Sequence, residues 1–277
     1  MIEAGVENLQ LRGLFGRAGD GVSSGPRVEI YQFDCRLAAP ALAAMQAVLD
    51  GGELEAIGRF RQATQRQRST AVRGALRWVL GARLQMRPQD VPLFRDDAGR
   101  PRLRAFPGLR GLSISCSSSD TTGVVAVGAG TEIGIDIEHI SARRFPDAVA
   151  GTLLHAREQV VFELLPRAAR AAWLAEAWVC KEATLKALGV GLAVDPRTVE
   201  LERHNATVSG EVGEFRVAGY PRLKGWLYRS GASTIALAAS APSVRLRRLH
   251  LTLDAPGVEP RSGRIQQCVA VLAGSAS

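Results

Sequence analysis

The first regular pattern lies at residues 28–33, where Val-Glu-Ile-Tyr-Gln-Phe alternates apolar and polar side chains as a half-buried strand does. A helix-rich stretch follows from about residue 40 to residue 86. Within it Ala71, Ala75, Trp78 and Val79 recur at helical spacing, with Arg66, Arg73 and Arg77 among the polar positions. The turn Asp96-Asp-Ala-Gly-Arg-Pro101 ends this region, glycine supplying free φ and proline fixing it. Residues 112–120, Leu-Ser-Ile-Ser-Cys-Ser-Ser-Ser-Asp, begin as a strand and dissolve into hydroxyls. Two apolar strands, 124–127 and 133–137, flank Gly128-Ala-Gly130, which reads as a hairpin. Helices fill roughly 147–189 with a break near Pro166, and strands return at 198–202, 214–217, 226–228 and 234–238.

Strand, long helix and strands, then the same order again, predict an α+β fold of two similar halves in pseudo-twofold arrangement. Each half is expected to be a small, mostly antiparallel sheet packed with a long helix. The expected divisions are a flexible N-terminal segment over 1–26, an N-terminal half over 27–122, a C-terminal half over 123–255 and a tail over 256–277.

Composition narrows the class. The chain has 277 residues, 46% of them hydrophobic, and buries a core without covalent help. Its longest apolar runs fall far short of the roughly 20 residues that span a bilayer, so no membrane partner is expected. The opening Met-Ile-Glu-Ala-Gly-Val-Glu is acidic and lacks the apolar core of a signal peptide, which points to a cytoplasmic protein. The cysteines Cys35, Cys116, Cys180 and Cys268 form no CxxC pair and the histidines are scattered, so zinc spacing is absent. A net charge of +8 favours an anionic partner. Nucleic acid is disfavoured, because aromatics make up only 5% and no recognised motif interleaves them with arginine. The arginines at 66, 73 and 77 have two readings, a solvated helix face or a row aimed at phosphate.

The candidate chemistry sits in Gly134-Ile-Asp-Ile-Glu-His139 and Trp178-Val-Cys-Lys-Glu-Ala-Thr-Leu-Lys186. On a strand, Gly134, Asp136 and Glu138 share one face while Ile133, Ile135 and Ile137 share the other. Two carboxylates roughly 6 to 7 Å apart along the strand are either a wet sheet face or part of a hard-cation site. Gly134 would leave room for a ligand beside the backbone. On a helix, Trp178, Glu182 and Lys186 form one stripe, with Lys181 about 100° around from Glu182. Taken alone, Glu182 and Lys186 make a surface ion pair; beside a buried tryptophan, Glu182 instead calls for a partner such as a metal ion.

The two stretches together, with 44 positions from Glu138 to Glu182, resemble the two-part signature of the 4′-phosphopantetheinyl transferase superfamily. The length and doubled plan are similar to its monomeric, surfactin-synthetase-activating branch. Gly99-Arg-Pro101 resembles the family's Gly-Lys/Arg-Pro turn, and Gly189-Val-Gly-Leu192 its glycine-containing helix exit. The resemblance implies an enzyme that moves the phosphopantetheine arm of coenzyme A to a serine of an apo acyl or peptidyl carrier protein, releasing 3′,5′-ADP. By motif position, Asp136, Glu138 and Glu182 would hold Mg²⁺, or Mn²⁺, on the diphosphate. Glu182 would also deprotonate the serine, and Lys181 and Lys186 would neutralise diphosphate oxygens, with Lys186 stabilising the leaving phosphate. Glu158 matches an acidic position between the motifs. Arg73 resembles the basic residue that meets the 3′-phosphate, with Arg66 and Arg68 as further candidates, and Gly99, Arg100 and Pro101 would border the adenine. Ser115-Cys116-Ser117 departs from the family's Ser-His-Ser. A neutral thiol does not donate as imidazolium does, so either coenzyme A binding is weakened or a nearby arginine compensates. The alternative is a non-catalytic, coenzyme A-binding relative.

Overall fold

The computed structural model of the chain describes residues 25–96, 99–104, 111–191, 194–203, 212–253 and 268–270. The expected N-terminal segment, apart from residues 25 and 26, and most of the expected tail lie outside the described residues.

Strand β1 (Arg27–Asp34) leads into helices α1 (Ala39–Ala47), α2 (Gly51–Gly58) and α3 (Ala63–Leu84), then β2 (Leu93–Arg95), β3 (Pro101–Leu103), β4 (Leu112–Ser119), β5 (Thr122–Ala129) and β6 (Ile133–His139). Short helices α4 (Ala150–Leu153) and α5 (Ala156–Glu163) precede the long α6 (Arg167–Leu188), and β7 (Leu201–Arg203), β8 (Val212–Val217), β9 (Lys224–Ser230), β10 (Ser233–Ala239), β11 (Arg245–His250) and β12 (Cys268–Ala270) complete the order. Two five-stranded sheets result, β12-β11-β1-β5-β4 and β6-β10-β9-β8-β7, and β2 and β3 form a small ribbon. Among the described residues every strand pairing is antiparallel except β1 with β11. The mixed α+β class is thus as expected, with one 22-residue helix to each large sheet.

Strand alternation builds the layers. Val28, Ile30, Val124 and Ala126 turn inward to meet Ile133, Ile135, Ile137, Ile235 and Leu237 of the second sheet. The opposite face of the first sheet, with Tyr31, Phe33, Val125 and Val127, packs on Ala71, Ala75, Leu76 and Val79 of α3. The opposite face of the second sheet, with Phe215, Leu227, Ala236 and Ala238, packs on Val179, Ala183 and Ala187 of α6. The order is therefore helix, sheet, sheet, helix.

Three expectations change. Gly128-Ala-Gly130 is no hairpin: β5 pairs with β1 and β4, β6 pairs with β10, and the glycines carry the chain from one sheet to the other. The serine-rich stretch stays in β4 as far as Ser119, and β4 and β5 join through Asp120, whose φ is +51°, a conformation Asp tolerates better than most side chains. The division at 122/123 runs through that hairpin. By sheet membership β5 belongs with the N-terminal strands, and β11 returns from the far end of the chain to lie beside β1.

Candidate active site

The site forms where α6 crosses β6. Arg167 follows Pro166 at the helix start, and Gly189, at φ +81°, ends the helix with its amide donating to the carbonyls of Leu185 and Lys186. Along β6, Gly134, Asp136 and Glu138 face α6 as the two-residue period requires. The space beside Gly134 is not open to a ligand, however. A Cβ there would stand 2.0 Å from the carbonyl oxygen of Ala183, so the missing side chain admits the helix backbone. This corrects the expectation of a ligand approach at Gly134.

The close crossing brings Lys186 onto β6, where its Nζ donates to Asp136 Oδ1 at 2.7 Å and to the Ile135 carbonyl at 3.0 Å. Burial opposes the ammonium charge, yet the Asp136 carboxylate outweighs it and holds the Lys186 pKa above its ordinary value. Asp136 is buried, and Ser117 Oγ also donates to its Oδ1 at 2.6 Å, while Oδ2 is buried without a hydrogen-bond partner. Glu138 accepts from Ser119 Oγ at 2.6 Å and from Arg144 at 2.7 Å. Burial holds its carboxyl above the usual range, against the pull of Ser119 and Arg144. Glu182 completes the group. Burial first, then the negative charge of Asp136 and of Glu138, pushes its carboxyl up to about 7, with Lys186 pulling the other way. Trp178, one turn before, is half buried between two apolar clusters, as the stripe reading requires.

Among the described residues, no three His, Cys, Asp or Glu side chains already stand in metal-holding geometry. Lys186 and Arg144 neutralise Asp136 and Glu138 instead. The donor set nevertheless fits a hard divalent cation. Burial, and after it the charges of Asp136 and Glu138, raise the Glu182 carboxyl, and Asp136 Oδ2 is a buried acceptor with nothing to accept from.

Beside Lys186 opens a small cavity of about 50 Å³ lined by Arg100, Pro101, Arg102, Ile114, Ser115, Cys116, Ile133 and Lys186. Five residues singled out from sequence, Arg100, Pro101, Ser115, Cys116 and Lys186, thus converge from β3, β4, α6 and the turn before β3. Gly99 has φ +75°, and Arg100 bonds Asp96 at 2.6 Å while its Nε and Nη1 are buried without partners. Burial raises the Cys116 pKa and keeps the thiol neutral, although Lys186, Arg95 and Arg73 pull it down in that order. Arginines therefore do stand near the thiol that replaces histidine. The Arg73 guanidinium donates to the Glu53 carbonyl at 3.0 Å, and burial and Arg95 lower its pKa.

Other expected residues lie elsewhere. Lys181 is 1% exposed and turned away from the carboxylates, its Nζ bonded to Glu158 at 2.7 Å and to the Pro196 carbonyl at 2.8 Å. Glu158 accepts in addition from the amides of His155 and Leu201. These two residues tie α6 to α5 and β7 rather than line the cavity. Arg66 is held by the carbonyls of Phe60 and Arg61, and Arg68 reaches the Asp120 carbonyl at 3.5 Å. Arg77 fits neither reading of the arginine row: it is 2% exposed and bonds Asp50 at 2.7 Å, Glu53 at 2.6 Å and three carbonyls before β2. Ser117, Ser119, Arg144 and Arg95 were not anticipated. The alternation of serines at 113, 115, 117 and 119 is the signal that could have found two of them.

Residues 132–226 match the family model described as the 4′-phosphopantetheinyl transferase superfamily. That span runs from just before β6 into β9 and holds every carboxylate and lysine of the site, whereas Arg73, Gly99–Pro101 and Ser115–Cys116 precede it. The chain is 33% identical over 149 residues to the 4′-phosphopantetheinyl transferase HetI of Nostoc sp., covering 54% of this chain and 63% of that protein. It is 25% identical over 194 residues to a putative 4′-phosphopantetheinyl transferase of Synechocystis sp., covering 68% and 78%. The crystal structure of Thermotoga maritima holo-[acyl-carrier-protein] synthase (AcpS) overlaps 39% of this chain and 61% of its own at 26% identity, with a TM-score of 0.32, too partial to bear on the fold. The chain thus spans less than two thirds of the length of HetI and of the Thermotoga synthase. Through the segment that carries Asp136, Glu138, Glu182 and Lys186, the chain is similar to the 4′-phosphopantetheinyl transferase superfamily.

Proposed function

We propose that the protein transfers the 4′-phosphopantetheine arm of coenzyme A to a serine hydroxyl of an apo acyl or peptidyl carrier protein, releasing 3′,5′-ADP. The observation that carries this reading is the convergence of three carboxylates with Lys186, which itself lines a cavity walled by Arg100, Pro101, Ser115 and Cys116. Asp136, Glu138 and Glu182 would hold Mg²⁺ or Mn²⁺, which when bound neutralises diphosphate oxygens and polarises the phosphorus. Lys186 supplies a fixed positive charge where the leaving phosphate develops its own negative charge. Glu182 accepts the proton of the incoming serine hydroxyl. The serine oxygen bonds to the phosphorus that bears pantetheine as the bond from that phosphorus to the ADP oxygen breaks. Arg73 and Arg95, with Lys186, replace the missing imidazolium around Cys116 as phosphate partners. Lys181 contributes through the position of α6. In this reading the protein acts as a cytoplasmic monomer, and its net charge of +8 attracts an acidic carrier.

The test incubates the protein with coenzyme A, Mg²⁺ and a panel of apo carriers and follows intact mass. A phosphopantetheine adduct is expected on at least one carrier. Retained coenzyme A binding without an adduct on any carrier would favour the second reading, a non-catalytic relative, for which Cys116 is the motivating departure.

A further inference from the structure

The inner edges of the two sheets, β4 and β6, are joined by side-chain hydroxyls. Ser113, Ser115, Ser117 and Ser119 fall at every second position of β4 and all turn to β6. Ser113 and Ser115 accept the amides of Ile133 and Ile135 at 3.2 and 3.0 Å. Ser119 accepts the His139 amide at 3.0 Å and donates to Glu138 Oε2 at 2.6 Å. With the amide proton on one lone pair, the Ser119 hydroxyl proton is aimed at the carboxylate. Ser119 is 0% exposed, so no bulk water competes for that bond. Ser117 donates to Asp136 Oδ1, also at 2.6 Å. Both are short, charge-assisted bonds of the stronger class.

We infer that Ser117 and Ser119 are positioning residues that orient the metal-binding carboxylates, one hydroxyl to each, so that a strand of the N-terminal sheet sets the metal affinity of a site carried by the C-terminal sheet. Asp136 shows the effect: with Oδ1 held by Ser117 and Lys186, the carboxylate cannot turn, and Oδ2 stays presented as a bare acceptor. On Glu138, Ser119 fixes the oxygen nearer β4, while Arg144, half exposed, is a partner that can leave. The hydroxyls also tie the metal residues to the cavity, since Ser115 and Cys116 line it from the same strand. The inference rests on the reading of Asp136 and Glu138 as metal ligands. Groups that hydrogen-bond a ligating carboxylate commonly change metal affinity by 10- to 100-fold when removed.

Mn²⁺ binding, read directly by electron paramagnetic resonance, tests it on the full chain with Ser117→Ala, Ser119→Ala and Ser117→Thr, alongside thermal denaturation and the metal dependence of transfer. Ser117→Ala is the cleaner variant, because Ser117 Oγ takes no β6 amide as Ser119 Oγ does. It is expected to weaken Mn²⁺ binding about tenfold and raise the half-saturating metal concentration equally, with Tm within about 2 °C and kcat at saturating metal kept. Ser117→Thr, which restores the hydroxyl, should recover wild-type binding. Wild-type Mn²⁺ affinity in Ser117→Ala, whatever the fate of Ser119→Ala, would overturn the inference and leave the serines as strand connectors. A wild-type protein that binds no Mn²⁺ and transfers nothing would instead remove the metal-site reading beneath it.

Discussion

Gly134 is where the crossing of α6 and β6 is most exposed to test. An alanine Cβ at this position would lie 2.0 Å from the Ala183 carbonyl oxygen, 2.5 Å from the Ala187 amide nitrogen and 2.7 Å from Lys186 Cβ. The first two are backbone atoms of a 22-residue helix, so no side-chain rotation relieves them. An ordinary contact begins at 3.4 Å, so the helix must retreat from β6 by roughly 1.4 Å. Overpacking of this kind costs about 1–3 kcal/mol, a Tm loss of about 2–10 °C in a chain of this length. The retreat also carries Lys186 and Glu182 away from Asp136, and a displacement near 1 Å at reacting groups costs about 10²-fold in rate. Gly134→Ala should therefore lower Tm moderately and lose transfer disproportionately. Gly151→Ala in α4 is the control, since its Cβ meets nothing within 4 Å, and it should match wild type in both assays. A Gly134→Ala protein with wild-type Tm and wild-type transfer would refute the argued contact and with it the helix position that assembles the site.

Two further outcomes follow from the charges on α6. Lys181→Met strands the Glu158 carboxylate, itself 6% exposed, and should destabilise the chain by about 3–5 kcal/mol in urea titration, with the Lys181→Met/Glu158→Gln pair recovering part of the loss. In whatever folded protein remains, the KM for coenzyme A should be unchanged; a raised KM with intact stability would mean that this ammonium meets the diphosphate after all. Glu182 gives a pH signature. Its folded pKa is raised, so the folded state holds the proton more tightly than the unfolded one, and metal-free stability falls as pH climbs from about 4.5 to about 7. The full shift corresponds to about 3 kcal/mol, and solvent screening of a partly exposed group reduces this to about 1–2 kcal/mol. Denaturation at pH 5 and pH 7.5 should show that slope in wild type and not in Glu182→Gln; equal slopes would place the pKa shift elsewhere.

Periodicity made the site partly legible. The 3.6-residue period put Glu182 and Lys186 on the stripe of Trp178, and the strand period put Asp136 and Glu138 on one face, as the structure has them. The same helical geometry placed Lys181 about 100° around, yet the motif resemblance assigned it to the diphosphate. The angle was the better guide, since that rotation aims Lys181 at Glu158 and the Pro196 carbonyl. Arg77 was misread because a polar helix position says nothing about what the neighbouring helix offers; here α2 and its N-cap supply Glu53 and Asp50. β11 went unseen because Leu246 and Leu249 break the alternation among arginines, and its partner β1 lies 218 positions away.

The case of β4 goes a step further. A strand's period shows which side chains share a face but not whether that face meets water, a helix or another strand. Serines were read as the end of a strand because hydroxyls at four alternate positions satisfy no apolar core. They make sense only when β6 arrives without a backbone ladder to β4, leaving its amides and two carboxylates to be bonded by side chains. Gly134 is the complementary case on the face of β6 that it shares with Asp136 and Glu138, where the absent side chain is explained by α6 and not by a ligand. One strand thus carries two opposite solutions: hydroxyls that hold the carboxylates from the β4 edge, and a glycine that lets Lys186 reach them from α6.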